Sequence, residues 1–135
     1  MLSRQEKCWK VNGYKMKCLD TCALVEIHEQ NPKFISLLNE DIVITDVTMA
    51  EFYMILYREH NNITADYWHR KLQTFCQPVP RNILIKAVQF RVDALKQDLS
   101  FFDCVGYTFA LENNMDFVTG DKEFEKMKHV QFMKK

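Results

Sequence analysis

The segment Met16-Lys17-Cys18-Leu19-Asp20-Thr21-Cys22-Ala23-Leu24 decides how the rest of this chain is read. Met16 to Leu19 has the pattern of a short strand, and Asp20-Thr21 follows without a break. Cys22 to Glu29 then continues at helical spacing until Asn31-Pro32 stops it. A strand that runs straight into a helix, with a carboxylate at the joint, is the repeating unit of an open α/β fold. In such folds the carboxyl ends of the strands form the ligand-binding edge.

The unit recurs along the chain. Pro32 opens a second short helix, Lys33 to Leu38. Ile42-Val43-Ile44 is a β-branched run of the buried-strand type, and Val47 to Glu59 carries Met49, Phe52, Tyr53, Ile55 and Leu56 at helical spacing. Thr64 to Thr74 reads as another helix. Phe75 to Val79 reads as a connecting or edge segment, because Pro78 and the adjoining Pro80 cannot sit in a central strand. Pro80 to about Lys96 shows a wide apolar stripe of Ile83, Leu84, Ala87, Val88, Phe90, Val92 and Leu95. Ser100 is a natural N-cap for a helix from Phe101 to Asn113. Phe117-Val118-Thr119 is a further strand, Asp121 to Lys128 a short helix, and Val130 to Phe132 a last strand. Strands alternating with helices imply a parallel sheet covered on both faces. Residues 1–14 are polar, mixed in charge and without a strong period, and are expected to be an N-terminal extension to a domain spanning 15–135.

Composition narrows the class. A chain of 135 residues with 47% hydrophobic and 13% aromatic content builds one core and leaves no room for two ordinary domains. Eighteen basic residues balance eighteen acidic ones, so no global positive field holds the protein on nucleic acid and any such contact is local. Arg58, Arg70, Lys71, Arg81, Arg91 and Lys96 are the candidates, with solvated helix faces as the ordinary explanation. Cysteines at 8, 18, 22, 76 and 104 show no regular spacing, and neither a signal peptide nor a long apolar run is evident. The expectation is a reduced cytoplasmic protein with no membrane segment. Cys18 and Cys22 read as buried small apolar residues, and His28, His60, His69 and His129 are too scattered to suggest ligands.

Four acids stand out by position. Asp20 and Asp121 sit at the tips of strands, Glu51 lies in the first turn or two of the helix after the second strand, and Asp103 lies one turn into the helix capped by Ser100. Each alone is explained by capping and by the helix macrodipole. Asp103 fits that explanation worst, because Phe101, Phe102, Val105, Gly106, Phe109 and Ala110 surround it, and an unpaired carboxylate in apolar surroundings is costly. A cluster of carboxylates takes up protons unless a divalent cation neutralises it, and oxygen-only ligands suit Mg²⁺ or Mn²⁺ rather than zinc. Asp46, Asp98 and Asp116 read as loop charges, caps or a turn residue.

The strings Cys18-Leu19-Asp20-Thr21-Cys22-Ala23-Leu24, Val47-Thr48-Met49-Ala50-Glu51, Leu99-Ser100-Phe101-Phe102-Asp103 and Val118-Thr119-Gly120-Asp121 followed by Phe124 resemble, in order and approximate spacing, the four motifs of PIN-domain nucleases. The likeness runs from Met16 to the end and is similar to the toxin component of VapBC toxin–antitoxin systems. It implies a three-layer α/β/α sandwich with a small, mostly parallel central sheet. It further implies that Asp20, Glu51, Asp103 and Asp121 surround one or two Mg²⁺ or Mn²⁺ ions, with Thr21 and Thr119 as supporting hydroxyls. The implied activity is endoribonucleolytic cleavage of single-stranded RNA by a metal-activated water, in a homodimer that an antitoxin restrains. The antitoxin would lay a helix in an apolar groove. Two other readings stand beside it. One is a PIN-like module without catalysis that binds RNA or assembles with a partner. The other is a phosphate-handling α/β protein such as a flavodoxin-like receiver, which the lack of a Gly-rich loop disfavours.

Overall fold

The computed structural model describes residues 10–11 and 14–135, with side chains from residue 15 onward. Most of the expected N-terminal extension therefore lies outside the described residues. Across its expected end, β1 (Lys10–Val11) and β2 (Tyr14–Lys15) pair antiparallel. The domain proper then runs β3 (Lys17–Leu19), α1 (Thr21–His28), α2 (Pro32–Ile35), β4 (Ile42–Thr45), α3 (Asp46–Glu59) and α4 (Asn62–Leu72). It continues through β5 (Cys76–Gln77), α5 (Arg81–Asp93), α6 (Phe101–Glu112), β6 (Asp116–Thr119) and β7 (Val130–Phe132).

Side-chain caps set where most of these helices begin. Asp20, Asn31, Thr45, Asn61 and Ser100 each accept a backbone N–H of the following turn, and each such cap is typically worth about 1 kcal/mol. Of the two short helices expected, one is present with a change of winding and one is shorter. Lys33 to Leu38 divides into α2 and a 3-10 turn over Ser36–Asn39, and Asp121 to Lys128 contracts to a 3-10 turn over Lys122–Phe124. Short apolar stretches cannot nucleate a full helix without an amphipathic face to pack. The last expected turn of the long helix, past Asp93, is also not helical, and Ala94 is its C-cap.

The sheet has five strands in the order β5-β4-β3-β6-β7, and all four pairings are parallel. Phe75 to Val79 does supply an edge strand, of two residues. Alternation along the central strands separates the core into two halves. Leu19, Ile42, Ile44 and Val118 pack toward α1 to α4 with Leu24, Phe34, Phe52 and Trp68. Cys18, Val43 and Phe117 pack toward α5 and α6 with Ile83, Val105, Phe109 and Phe124. This is the expected three-layer α/β/α sandwich, with a sheet that is wholly rather than mostly parallel.

Strand order creates one switch point. From β3 the chain winds outward through β4 to β5, then returns to place β6 on the other side of β3. The carboxyl ends of β3 and β6 therefore border a crevice, and the residues just past them are Asp20 and Gly120-Asp121.

Helix α6 approaches the sheet closely because residue 106 has no side chain. A Cβ there would lie 2.9 Å from Phe117 Cε1 and 3.6 Å from Thr48 Oγ1. Phe117 is fully buried and packed edge-on against Phe124 and Tyr107, so its ring has nowhere to move. Gly106→Ala should gain up to about 1 kcal/mol of helix propensity and lose about 1–3 kcal/mol to overpacking. The expected result is a net loss of stability in urea unfolding, and a gain would show that α6 can shift outward freely.

Candidate metal centre

The crevice is built around Asp20. Its backbone N–H donates to Val118 O (2.9 Å), which fastens the end of β3 to β6. Its carboxylate accepts from Thr21 N (2.8 Å) through Oδ1 and from the Thr119 hydroxyl (2.7 Å) through Oδ2. Thr119 Oγ1 in turn accepts the Asp121 N–H (3.0 Å), so one buried hydroxyl orients two of the four acids. Asp121 Oδ1 caps the following 3-10 turn at Glu123 N (3.0 Å).

Asp103 enters from α6. It closes a capping box with Ser100, accepting the Ser100 N–H at Oδ2 (3.1 Å) while its own N–H donates to Ser100 Oγ (3.1 Å). This corrects the weighting drawn from sequence, where Asp103 looked like the acid hardest to account for. The capping box gives it local partners, and it is only partly buried. The costly acid is Asp20, which is 3% exposed.

Electrostatics tie the four acids into one group. Burial first, and the Asp103 charge second, push the Asp20 carboxyl up to about 7, against the bonds from Thr119, Cys22 and Thr21. Burial also holds the half-buried Glu51 above the usual carboxylate range, and the Asp103 charge adds to it, while the nearby Thr21 hydroxyl opposes the shift. Asp103 is raised chiefly by burial, against its Ser100 bonds, with Asp121 and Asp98 adding repulsion. Asp103 is therefore the acid whose field reaches both Asp20 and Glu51. Asp46 and Asp98 are exposed, as their reading as loop charges and caps expected. Asp116 lies on β6 and faces Lys15 at 3.8 Å.

Does this edge suit a divalent cation? Thr21 Oγ1 is buried, has the Glu51 carboxylate beside it, and makes no close hydrogen bond among the described residues. An orphaned hydroxyl beside carboxylates that resist ionisation is what a cation or its water would relieve. All donors are oxygens, the set that Mg²⁺ and Mn²⁺ prefer. The acids are not drawn tightly together. Among the described residues, no three of them bring ligand atoms within 4.8 Å of one another.

One residue of the site escaped the sequence reading. Cys22 was grouped with Cys18 as a small apolar residue, and Cys18 is indeed fully buried. Cys22 instead donates its thiol to Asp20 Oδ2 (3.3 Å), contacts Thr119 Oγ1 (3.4 Å) and accepts the Gly120 N–H (3.1 Å). Burial, then the Asp20 charge, pushes this thiol up to about 12, so it stays a neutral donor at physiological pH. Its position two residues past Asp20, in the first turn of α1, was the only hint.

A parallel α/β domain with acids gathered at its switch point is the class that fold and site define together. The PIN domain family model matches residues 17–130. The chain belongs to the PIN-domain family, a family of nucleases. Solved structures agree on the fold. A toxin–antitoxin complex from Klebsiella pneumoniae superposes with TM-score 0.69 at 18% identity, covering 85% of this chain and 95% of that one. VapC20 from Mycobacterium tuberculosis, a Sarcin-Ricin loop cleaving toxin, gives TM-score 0.71 at 14% identity, over 83% of this chain and 95% of that one. VapBC2 from Rickettsia felis, bound to a DNA fragment from its promoter, gives TM-score 0.71 at 14% identity, over 89% and 98%. A comparison with curated protein sequences returns no match.

The raised Asp20 carboxyl has a consequence for stability. Its folded value of about 7 lies above the ordinary 3.8, so the folded state holds the proton more tightly than the unfolded one. The penalty is absent below the ordinary value, grows as pH rises toward 7 and is complete above it, reaching roughly 4 kcal/mol for Asp20 alone. In chelator, unfolding free energy should therefore fall from pH 5.5 to pH 8. Asp20→Asn should remove most of that slope, and Mn²⁺ should flatten it in the unsubstituted chain. A slope unchanged by Asp20→Asn would place the pH response elsewhere.

Proposed function

We propose that this chain is a metal-dependent endoribonuclease that hydrolyses single-stranded RNA, acting as the toxin of a toxin–antitoxin pair. The observation that carries the proposal is the set of Asp20, Glu51, Asp103 and Asp121 at one switch-point edge, electrostatically coupled and bordered by the orphaned Thr21 hydroxyl. These four acids would hold Mg²⁺ or Mn²⁺. When bound, such an ion lowers the pKa of water to generate a nucleophile and offsets charge on the leaving oxygen. Asp20 is held in one orientation by Thr119, Thr21 and Cys22, so its oxygens need no rearrangement on binding. The buried Thr21 hydroxyl lies beside Glu51 and opposes the rise in its pKa. No side-chain nucleophile is required.

RNA contact falls to the rim beside Asp103. Arg91 donates to Leu99 O (3.1 Å), immediately before the capping box, and exposed Lys96 lies in the same connection. Arg58 is engaged with Glu59, and Lys71 lies over the Tyr67 and Trp68 rings, so these two are less available to phosphate. An antitoxin helix would fit the groove of about 850 Å³ between α3 and α4, lined by Met49, Ala50, Tyr53 and Cys76 together with the acids Asp46 and Asp66. The relatives described as toxin–antitoxin and VapBC assemblies support that role. The exposed apolar stripe Ile85, Val88 and Val92 on α5 supports a homodimer. No helix among the described residues is long and apolar enough to cross a membrane.

The purified chain should cleave RNA with Mg²⁺ or Mn²⁺, stop in EDTA, and lose at least about 100-fold in rate as Asp20→Asn or Asp103→Asn. Equal rates in all three proteins would sink the proposal. Binding of RNA or a protein partner without metal uptake or cleavage would favour a non-catalytic module. In sedimentation, Val92→Glu should convert a dimer to a monomer at micromolar concentration, and a monomeric unsubstituted chain would remove the dimer from the proposal.

A further inference from the structure

A second cluster of ligand atoms lies at the other end of the same helices. His28 is the last residue of α1, Glu29 is its C-cap, and His60 is the C-cap of α3. Residues 28 and 60 are 32 apart in sequence, yet His28 Nε2 and His60 Nε2 stand 3.2 Å apart, with the rings crossing at 67°. Among the described residues, His28, Glu29 and His60 form the group of His, Cys, Asp or Glu side chains whose ligand atoms all fall within 4.8 Å. The α1 helix of eight residues separates this cluster from Asp20 by roughly 12 Å at the standard helical rise.

The cluster has features of a prepared site. The His28 ring sits edge-on to Trp68 at 5.9 Å, and Trp68 is a core residue, so the imidazole is positioned by packing and not only by its partner. The carboxyl ends of α1 and α3 meet here, and both present the negative end of a helix macrodipole, which favours a cation. Two donors bound tetrahedrally at the usual zinc–nitrogen distance lie about 3.3 Å apart, close to the 3.2 Å between the two Nε2 atoms. Two imidazoles and a carboxylate suit zinc and its first-row neighbours, whereas Mg²⁺ prefers oxygen donors alone.

We propose that His28, Glu29 and His60 bind a late first-row divalent ion, Zn²⁺ foremost, which ties the carboxyl end of α1 to that of α3. The proposal is independent of the nuclease reading. The ion takes two Nε2 atoms and one carboxylate oxygen and leaves a fourth position for water. It acts as a structural tie between the two helices that carry Thr21 and Glu51 nearer their other ends. The chain would then hold two metal sites of unlike chemistry, one of oxygens at the strand ends and one of imidazoles at the helix ends.

The test uses the whole chain stripped of metal by chelator. One equivalent of Zn²⁺ should bind, raise the midpoint of thermal unfolding, and give with Co²⁺ the visible absorption of a tetrahedral site without a thiolate charge-transfer band. His60 is exposed, so His60→Ala should fold normally without zinc while losing at least tenfold in zinc affinity together with the thermal gain. His28→Gln should reproduce that loss, and Asp103→Asn should retain full zinc binding. The proposal is overturned by an unchanged zinc response in His60→Ala or by the absence of stoichiometric binding. A response lost in Asp103→Asn but kept in His60→Ala, or a thiolate band with Co²⁺, would equally overturn it, by placing the ion on the acids or the cysteines.

Discussion

The bond from the Thr119 hydroxyl to Asp20 Oδ2 is the interaction on which the candidate site depends. It joins residues 99 apart in sequence across the junction of β3 and β6, at 2.7 Å and in a buried setting. Because Thr119 Oγ1 also receives the Asp121 N–H, one side chain links the two strand-end acids. A buried carboxylate placed there must be satisfied by hydrogen bonds and still resists ionisation, since the neighbouring acids add charge of the same sign. That residual cost is the kind of strain that active sites carry and that a cation relieves.

The rest of the fold serves to hold that junction. The two halves of the core clamp the sheet from both faces, and Gly106 lets α6 sit close to the sheet, from where the Asp103 charge acts on Asp20. Seven consecutive residues of α6, Cys104 to Ala110, are buried. Such a helix cannot turn about its axis without opening the core, so the direction of Asp103 is locked by packing as well as by its capping box. The helices α1 and α3 act as struts, with acids or their neighbours toward one end and the imidazole cluster at the other.

Much of this was legible in the linear chain. Ile42-Val43-Ile44 and Phe117-Val118-Thr119 declare strands because β-branched and aromatic runs suit a pleated surface. The apolar spacing over Val47 to Glu59 declares a helix, since each residue's neighbours at three and four positions are what a helix brings together. Ser100 was readable as a cap for the same local reason. Less legible were the elements whose length depends on what they pack against. Asp121 to Lys128 reads as a helix and is a single 3-10 turn, because the pattern carries no information on how much apolar surface awaits it.

Sequence alone determined the class of fold, the alternation of strands and helices, and the presence of carboxylates where strands end. These are properties of nearest neighbours along the chain, and local sterics and hydrophobic spacing encode them. Tertiary structure alone decided which acid bears the burial cost, moving that role from Asp103 to Asp20. It also turned Cys22 from a packing residue into a hydrogen-bond donor, and brought His28 to His60. Each of those outcomes rests on strand order and helix docking. Contacts between segments 32 or 99 residues apart depend on how layers stack, and no local pattern records that.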